Sequence, residues 1–340
     1  MKLGGRTLTT VFDVAKKAGV SIATVSRVLR GTAIVSEETR SRVVQAVEEL
    51  GYFPNRMAQG LRLGRTETVA FAVGDIEQSV YAAMTKHLQS ALEHVGLDLM
   101  LYNLGHSESR LMKLLDSAPT LGVRAVVVAS SDALPLDGLL QRTRLLTDIG
   151  IAVVAINQDL SSHGIPSVVY DDKGAARKSV SYLIATSNGP VAYLGRIAGS
   201  AVGSNRFAGF AAAHEEADVR FDADLVWDAS YRYPAGYESV ARACREQRRF
   251  GAIQAGSDEL AMGAMAALQD MGRRVPQDCK VVGFGGADWG EHARPALATL
   301  TSSPEEMSAH IAAIFQDLNA RLAPPLLTVM ERKFVRRDSA

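Results

Sequence analysis

The chain is short of the groups that most enzymes and secreted proteins depend on. Its 340 residues hold two cysteines, Cys244 and Cys279, with no paired spacing. They fit a reducing compartment, as inert packing groups rather than a disulfide, redox pair or metal site. The seven histidines form neither HxxxH nor HExxH, so no metal and no cofactor are expected. Met1 to Arg6 lack the apolar run of a signal peptide, and no stretch of about eighteen uncharged apolar residues follows. The expected location is the cytoplasm, with no membrane partner. GxGxxG is missing after the first core strand, as are GxxxxGK followed by Ser or Thr and the GxSxG nucleophile turn. Asp171-Asp172 is a carboxylate pair, but without a ligand cluster beside it the pair reads as a helix cap and possible cleft residue rather than an acid/base dyad. No catalysis is expected.

Net charge is also lacking, and that balance hides an asymmetry. Residues 1–65 hold eleven Lys and Arg against five Asp and Glu, and the rest of the chain 26 against 32. A basic head on an acidic body suits phosphate binding by the head. The length implies two or three domains.

What is present begins at Thr9. Val11, Val14, Ala15 and Ala18 recur at i, i+3, i+4 and i+7, which makes one apolar helical face, and Gly19 stops it. Ser21 can cap a second helix through the amide of Thr24. This helix turns Val25, Val28 and Leu29 inward and leaves Ile22, Ala23, Ser26, Arg27 and Arg30 outward. A third helix opens on a capping box at Ser36-Glu37-Glu38-Thr39 or its neighbours, packs Val43, Val44, Val47 and Leu50 over the first two, and ends at Gly51. Two short helices joined by a tight Gly-containing turn form a helix-turn-helix, whose second helix enters the major groove. Pro54 forbids continuing the third helix, and Asn55 can cap a new one of about two turns. Such a helix is too short to be stable alone, and Gly60 weakens it by roughly 1 kcal/mol relative to Ala.

Ser21, Thr24-Val25-Ser26-Arg27-Val28-Leu29 and Gly31, then Val35-Ser36 through Leu61-Arg62, resemble the DNA-binding headpiece of the LacI/GalR family of bacterial transcriptional regulators. The resemblance implies double-stranded operator DNA as partner, a homodimer, and paired hinge helices that enter the minor groove with Leu61 wedged between base pairs. Ile22 and Ala23 suit thymine methyl groups, and Arg27 a bidentate contact to guanine. Thr10, Ser21, Thr24, Ser26, Ser36 and Asn55 suit phosphates. Arg30 stands where many members carry asparagine, and Arg56 and Ala58 of the hinge segment complete the expected DNA contacts.

From Thr66 the pattern changes to short apolar runs alternating with amphipathic helices, which argues for parallel βαβ units. Strands are expected at Val69 to Val73, Leu97 to Tyr102, Ala125 to Ala129 and Ile151 to Ile156. A second series follows at Ser167 to Tyr170, Val191 to Leu194, Leu225 to Trp227, Ala252 to Ala255 and Lys280 to Phe284. The expected fold is an all-α helix-turn-helix headpiece plus an α/β core of two doubly wound parallel-sheet lobes. Ligands bind outside the carboxyl ends of such strands, in the cleft between the lobes.

The core also resembles the LacI/GalR family, whose regulatory core is similar to periplasmic sugar-binding proteins. The matching segments are Arg206 to Phe210 (RxxGF), Ser257 to Gly263 (SDxxAxG), Val281 to Phe284 and Pro295 to Leu300. The resemblance implies three crossings between lobes, near Ser161 to Pro166, Arg294 to Thr299 and Pro324 to Thr328. The expected domains are a headpiece at 1–53, a hinge and linker at 54–65, and a core at 66–340. Lobe 1 takes about 66–163 and 297–326, with the last helix Pro304 to Leu322; lobe 2 takes about 164–296 and 327–340, with a strand at Leu327 to Val335. Two segments depart from the family pattern: Asp75 to Tyr81 replaces DxxNPFF, and Gly283-Phe284-Gly285-Gly286 replaces GFDD. Both border the expected cleft.

Arg206 and Asp258 occupy motif positions that bind ligand in the family. A guanidinium fork suits vicinal hydroxyls or a carboxylate, and a carboxylate at a helix start accepts hydroxyl protons. Asp75, Tyr81, Ser130, Asn157 and Tyr231 are further effector candidates from their places at strand ends or cleft-facing loops, with Trp227 and Trp289 as alternative aromatic walls. The expected protein is a dimeric operator-binding regulator, a repressor, controlled by a small sugar-like effector. The alternative is a sugar-processing enzyme or sugar receptor on a two-lobed scaffold.

Overall fold

A computed structural model describes residues 9–30, 35–52 and 66–340, apart from the Arg30 side chain. The chain divides into two compact units, Met1–Thr66 and Glu67–Ala340. Asn55, Arg56, Ala58 and Leu61, and with them the expected hinge helix, lie outside the described residues.

The first unit holds helices α1 (Val11–Ala18), α2 (Ile22–Arg30) and α3 (Glu37–Leu50). Thr10 starts α1 with a reciprocal capping box: its hydroxyl accepts the Asp13 amide at 3.3 Å, and the Asp13 carboxylate accepts the Thr10 amide at 2.8 Å. Gly19, at φ 64°, closes α1 in the left-handed conformation that costs glycine nothing. Ser21 and Ser36 cap α2 and α3 by accepting the amides of Thr24 and Thr39 at 3.1 and 3.3 Å. The box expected at Ser36 is one-sided, because a threonine occupies the place from which Glu or Gln would reach back. Val14, Val25 and Val43 are fully buried, with Ala46 and Tyr52 beside them. Val44, expected inside, is 43% exposed. It lies one residue past Val43 and so turns to solvent, while Ala46 at i+3 shares the inner face.

The second unit is built on two six-stranded sheets. The first holds β1 (Thr68–Val73), β2 (Asp98–Asn103), β3 (Ala125–Ala129), β4 (Ala152–Ile156), β5 (Ser167–Tyr170) and β11 (Leu327–Met330) in the order β11-β5-β4-β3-β1-β2, all parallel. The second holds β6 (Val191–Leu194), β7 (Val226–Trp227), β8 (Ala252–Ala255), β9 (Lys280–Gly285), β10 (Ala298–Thr301) and β12 (Lys333–Val335) in the order β12-β10-β9-β8-β6-β7, with β12 antiparallel. β1 alternates Val69, Phe71 and Val73 on one face with Ala70 and Ala72 on the other. The first set packs on α4 (Ser79–His94) and α11 (Pro304–Asn319); the second packs on α5 (Glu108–Leu121) and α6 (Leu136–Asp148). Covering helices on both faces explain why the strands read as continuous apolar runs. The second sheet is likewise covered by α7 (Asp172–Thr186) and α8 (Ala201–Glu216) on one face, and by α9 (Tyr233–Arg245) and α10 (Asp258–Asp270) on the other. Cys279 belongs to that core, and burial pushes its thiol up to about 12.

Three strands sit in the sheet opposite to the one expected. β5 was expected to open the second lobe, yet it pairs with β4 through Ala155–Ser167 and Ile156–Val168. β10 was expected with the first lobe and pairs with β9. The single strand expected over Leu327 to Val335 is two: β11 continues the first sheet and β12 closes the second. The Ser161 to Pro166 stretch, expected as a crossing, is a turn between neighbouring strands, with Ile165 buried beneath it. The crossings follow β5, β10 and β11, at Asp171, at Ser302-Ser303 and at Glu331-Arg332. Each comes a few residues later than expected, because the strand before it must finish its ladder before the chain can leave the sheet.

Candidate functional site

In the first unit, Ala23 and Arg27 are exposed on α2, and Thr24 and Ser26 are half-buried beside them. Ile22, expected outward, packs partly against the helical core and leaves only part of its side chain open. The first turn of α2 carries no acidic residue, so the amides and dipole at its start face no competing carboxylate. The exposed hydroxyls of Ser21 and Ser36 are held by Thr24 and Thr39, each pair at 2.9 Å. Thr10 is exposed too, with its hydroxyl donated to Asp13 at 2.7 Å. Arg30 lies in α2, but its side chain is outside the described residues. This surface offers apolar, guanidinium and hydroxyl groups in the mix that base edges and phosphates require.

In the second unit, a cavity of about 440 Å³ lies between the two sheets, beyond the carboxyl ends of their strands. Tyr81, Asn157, Arg206, Tyr231 and Asp258, of the expected effector contacts, line it, as does Trp289. Asn157 follows β4 at φ 71°, a left-handed conformation uncommon outside glycine. Asp75 and Ser130 are not among the lining residues. Asp75 pairs with Arg232 at 3.3 Å, and the Ser130 hydroxyl donates to Asp132 at 3.3 Å. Trp227 packs edge-on against Phe250 with ring centroids 5.3 Å apart and is no cavity wall.

The base of the cavity is a buried ionic cluster. Asp172 accepts from Arg206 Nε at 3.0 Å through one carboxylate oxygen and from Arg332 Nε at 2.5 Å through the other. Both guanidiniums lie over the Phe284 ring, Arg206 at 3.9 Å and Arg332 at 4.8 Å from its centroid. Burial opposes ionisation of Asp172, but Arg332 and Arg206 together outweigh it and hold its carboxyl below the usual range. Arg206 also donates to the Gly256 carbonyl.

Asp258 shows the opposite balance. It begins α10 behind the cap Ser257 and is almost fully buried. Its oxygens accept from the Thr299 hydroxyl and the Ala287 amide, both at 2.6 Å. Burial still raises its carboxyl above the ordinary value, since no cation among the described residues contacts it. The departure from GFDD falls at Gly285 and Gly286, which stand at φ 134° and 78°, a backbone that suits glycine. The glycine that both patterns share, Gly283, is where a Cβ would lie 2.2 Å from Asp258 Oδ1.

At the cleft's rim the lobes are joined directly. Arg232 pairs with Asp75 and Glu77, Arg196 pairs with Asp132, and Glu259 accepts the amide and hydroxyl of Ser79 at 3.0 and 2.6 Å. Asp132 and Ser200 form an isolated antiparallel bridge. His106 Nδ1 lies 2.9 Å from Asp132.

The sequence model of bacterial regulatory proteins of the lacI family matches residues 10–55, and that of periplasmic binding proteins and the sugar binding domain of the LacI family matches residues 66–288. The chain belongs to the LacI family. The HTH-type transcriptional regulator AscG of Escherichia coli is 30% identical, with 98% of each chain covered. RegA of Clostridium saccharobutylicum, another HTH-type transcriptional regulator, is 28% identical over 97% of this chain and 99% of its own. Among solved structures, the regulator CelR in complex with cellobiose is 28% identical, with a TM-score of 0.71 over 98% of this chain and 100% of its own. The lac repressor dimer bound to operator and an anti-inducer has the same fold, with a TM-score of 0.87 over 98% of this chain and 99% of its own, at 21% identity. This LacI-family chain is a DNA-binding transcriptional regulator. Among the described residues, no helix is long and apolar enough to cross a membrane.

Sequence reasoning reached Arg206 and Asp258 through their motifs and missed Arg332 and the bridging role of Asp172. The only early signal was Asp171-Asp172: Asp171 caps α7 by accepting the Gly174 amide at 2.8 Å, and Asp172 turns inward to Arg206 and Arg332. Arg332 belongs to no motif, and only pairing of β11 with β5 carries it there.

Proposed function

We propose that the protein is a homodimeric, cytoplasmic, non-catalytic repressor whose operator binding is controlled by a small sugar-like effector in the cleft. The observation that carries this reading is the cavity between two lobes joined by three short crossings, with Arg206 and Asp258 inside it. Hydroxyl-rich ligands suit those groups, and aromatic faces at Tyr231 and Trp289 can stack on a sugar ring. Arg27, Ser21, Thr24, Ser26, Ser36, Thr10, Ile22 and Ala23 form the expected operator face, with Arg30, Asn55, Arg56, Ala58 and Leu61 completing it. One headpiece reads few base pairs, so specificity calls for two on a two-fold site. On α10, Leu260, Met265 and Leu268 are buried in the core and are not free to meet a second chain. Met262, which lines a shallow groove with Tyr233, remains the candidate on that helix.

Gel-shift titration with an operator selected from random DNA, with and without sugars and sugar acids, tests the reading. Release of operator by a ligand that is recovered chemically unchanged supports it. Turnover of that ligand would favour the enzyme alternative.

A further inference from the structure

The buried cluster at the base of the cleft is unbalanced. Two guanidiniums, Arg206 and Arg332, share the single carboxylate of Asp172, which leaves one positive charge over. Among the described residues, none of the other acids that line the cleft pairs with either guanidinium. Glu259 is bonded to Ser79, Asp258 to Thr299 and Ala287, and Asp288 and Glu305 are exposed to solvent.

The surplus can be placed on one atom. The Arg332 side chain is 4% exposed and lines the cavity, and its Nη1 has no hydrogen-bond partner. Its Nε is taken by Asp172, and its plane is fixed over the Tyr170 ring, 4.0 Å from the centroid. A buried guanidinium N–H without an acceptor is costly, and that cost is relieved when a ligand oxygen supplies one. Burial pushes the Arg332 guanidinium below its ordinary value, with the Arg206 charge adding to the effect and Asp172 opposing it. Arg206 is held up instead. Of the two, Arg332 is the cation still short of negative charge.

We infer that the cleft takes a polyhydroxylated carboxylic acid, whose carboxylate seats on Arg332 Nη1 while its hydroxyls meet the rest of the lining. One guanidinium nitrogen left without an acceptor matches a carboxylate monoanion rather than a phosphate dianion. Arg332 also lies in the third crossing, two residues after β11, and Asp172 directly follows the first. The charge of the ligand is therefore read at the hinge on which the lobes turn. This rests on the effector-controlled reading above for its consequence, but not for the binding itself.

The test uses the full chain, with calorimetry and thermal shift at matched ionic strength. The probes are glucuronate, galacturonate and gluconate, against glucose, galactose and their 6-phosphates. The inference expects at least one acid to bind and raise the melting temperature, its neutral counterpart to bind far more weakly, and Arg332→Gln to weaken the acid about tenfold or more. Arg332→Gln leaves Asp172 paired with Arg206 and the cluster without net charge, and Arg332→Lys, which restores the charge without the fixed fork, serves as a second variant that must recover part of the preference for acid. Equal binding of acid and neutral sugar, binding of phosphates alone, acid affinity unchanged in a folded Arg332→Gln protein, or no binding by any acid would each overturn it. Operator release is scored separately. An acid that binds through Arg332 without touching operator affinity would sink the regulatory reading only, and operator release by a neutral sugar alone would sink this inference only.

Discussion

Asp172 and Asp258 are both buried, and their surroundings drive them in opposite directions. Two guanidiniums hold Asp172 below the unfolded aspartate value of 3.8, so its contribution to stability is present above that value and lost as pH falls through the lower folded one. Asp258 is raised above 3.8, so its contribution is present below 3.8 and lost as pH rises through the folded value. Urea unfolding across the acid range should show the stability gap between wild type and Asp172→Asn widening as pH rises, and that for Asp258→Asn narrowing. Parallel pH profiles for the two variants would refute the assignment. In the first unit, Arg27→Ala should cost about 1 to 3 kcal/mol of operator binding and relax one base pair per half-site. An operator-selection experiment returning the same motif for wild type and variant would remove Arg27 from base readout. Arg206 and Asp258 were legible because each sits in a motif contiguous in sequence. Arg332 was not, since its partner is 160 residues away and no local spacing encodes a salt bridge across two strands.

At the level of elements, helix ends were legible where a polar cap or a left-handed glycine marks them. Ser21, Ser36, Gly19 and Gly51 all act as read, only the reciprocity at Ser36 was misplaced, and the capping box at Thr10 went unread. Replacing Thr10 by Ala should therefore destabilise the chain by about 1 kcal/mol, measurable as a lower urea midpoint for the headpiece transition. The allocation of β5, β10 and β11 between sheets was not legible. Each is a four-residue strand whose apolar pattern suits either sheet, and the choice is made by ladder partners distant in sequence. The rim links across the cleft are similarly invisible in sequence. Arg232 is about 40% exposed, so its pairs with Asp75 and Glu77 should add little to stability, within about 1 kcal/mol. Arg232→Ala is expected to open the lobes more readily, seen as faster ligand dissociation with an almost unchanged melting temperature. An unchanged off-rate would show that the rim pairs do not hold the lobes.

At the scale of the whole molecule, a basic DNA-reading unit and an acidic ligand-binding unit share one chain, and their coupling must be reciprocal: a ligand that weakens operator affinity is itself weakened by operator to the same factor. Asp258→Ala is expected to bind operator and ignore ligand, whereas Leu61→Ala is expected to lose most of the operator bend and keep the ligand affinity of the free protein. The basic head was legible in the charge asymmetry, and the two-lobed body in the alternation of strands and helices. The measurement that bears most directly on the account is selection of the full-length protein against random duplex DNA, followed by determination of the protein-to-duplex ratio by sedimentation. The account predicts a two-fold symmetric site occupied by two chains, with affinity falling steeply as salt rises. Enrichment of no sequence, or of a single half-site bound by one chain, would contradict it.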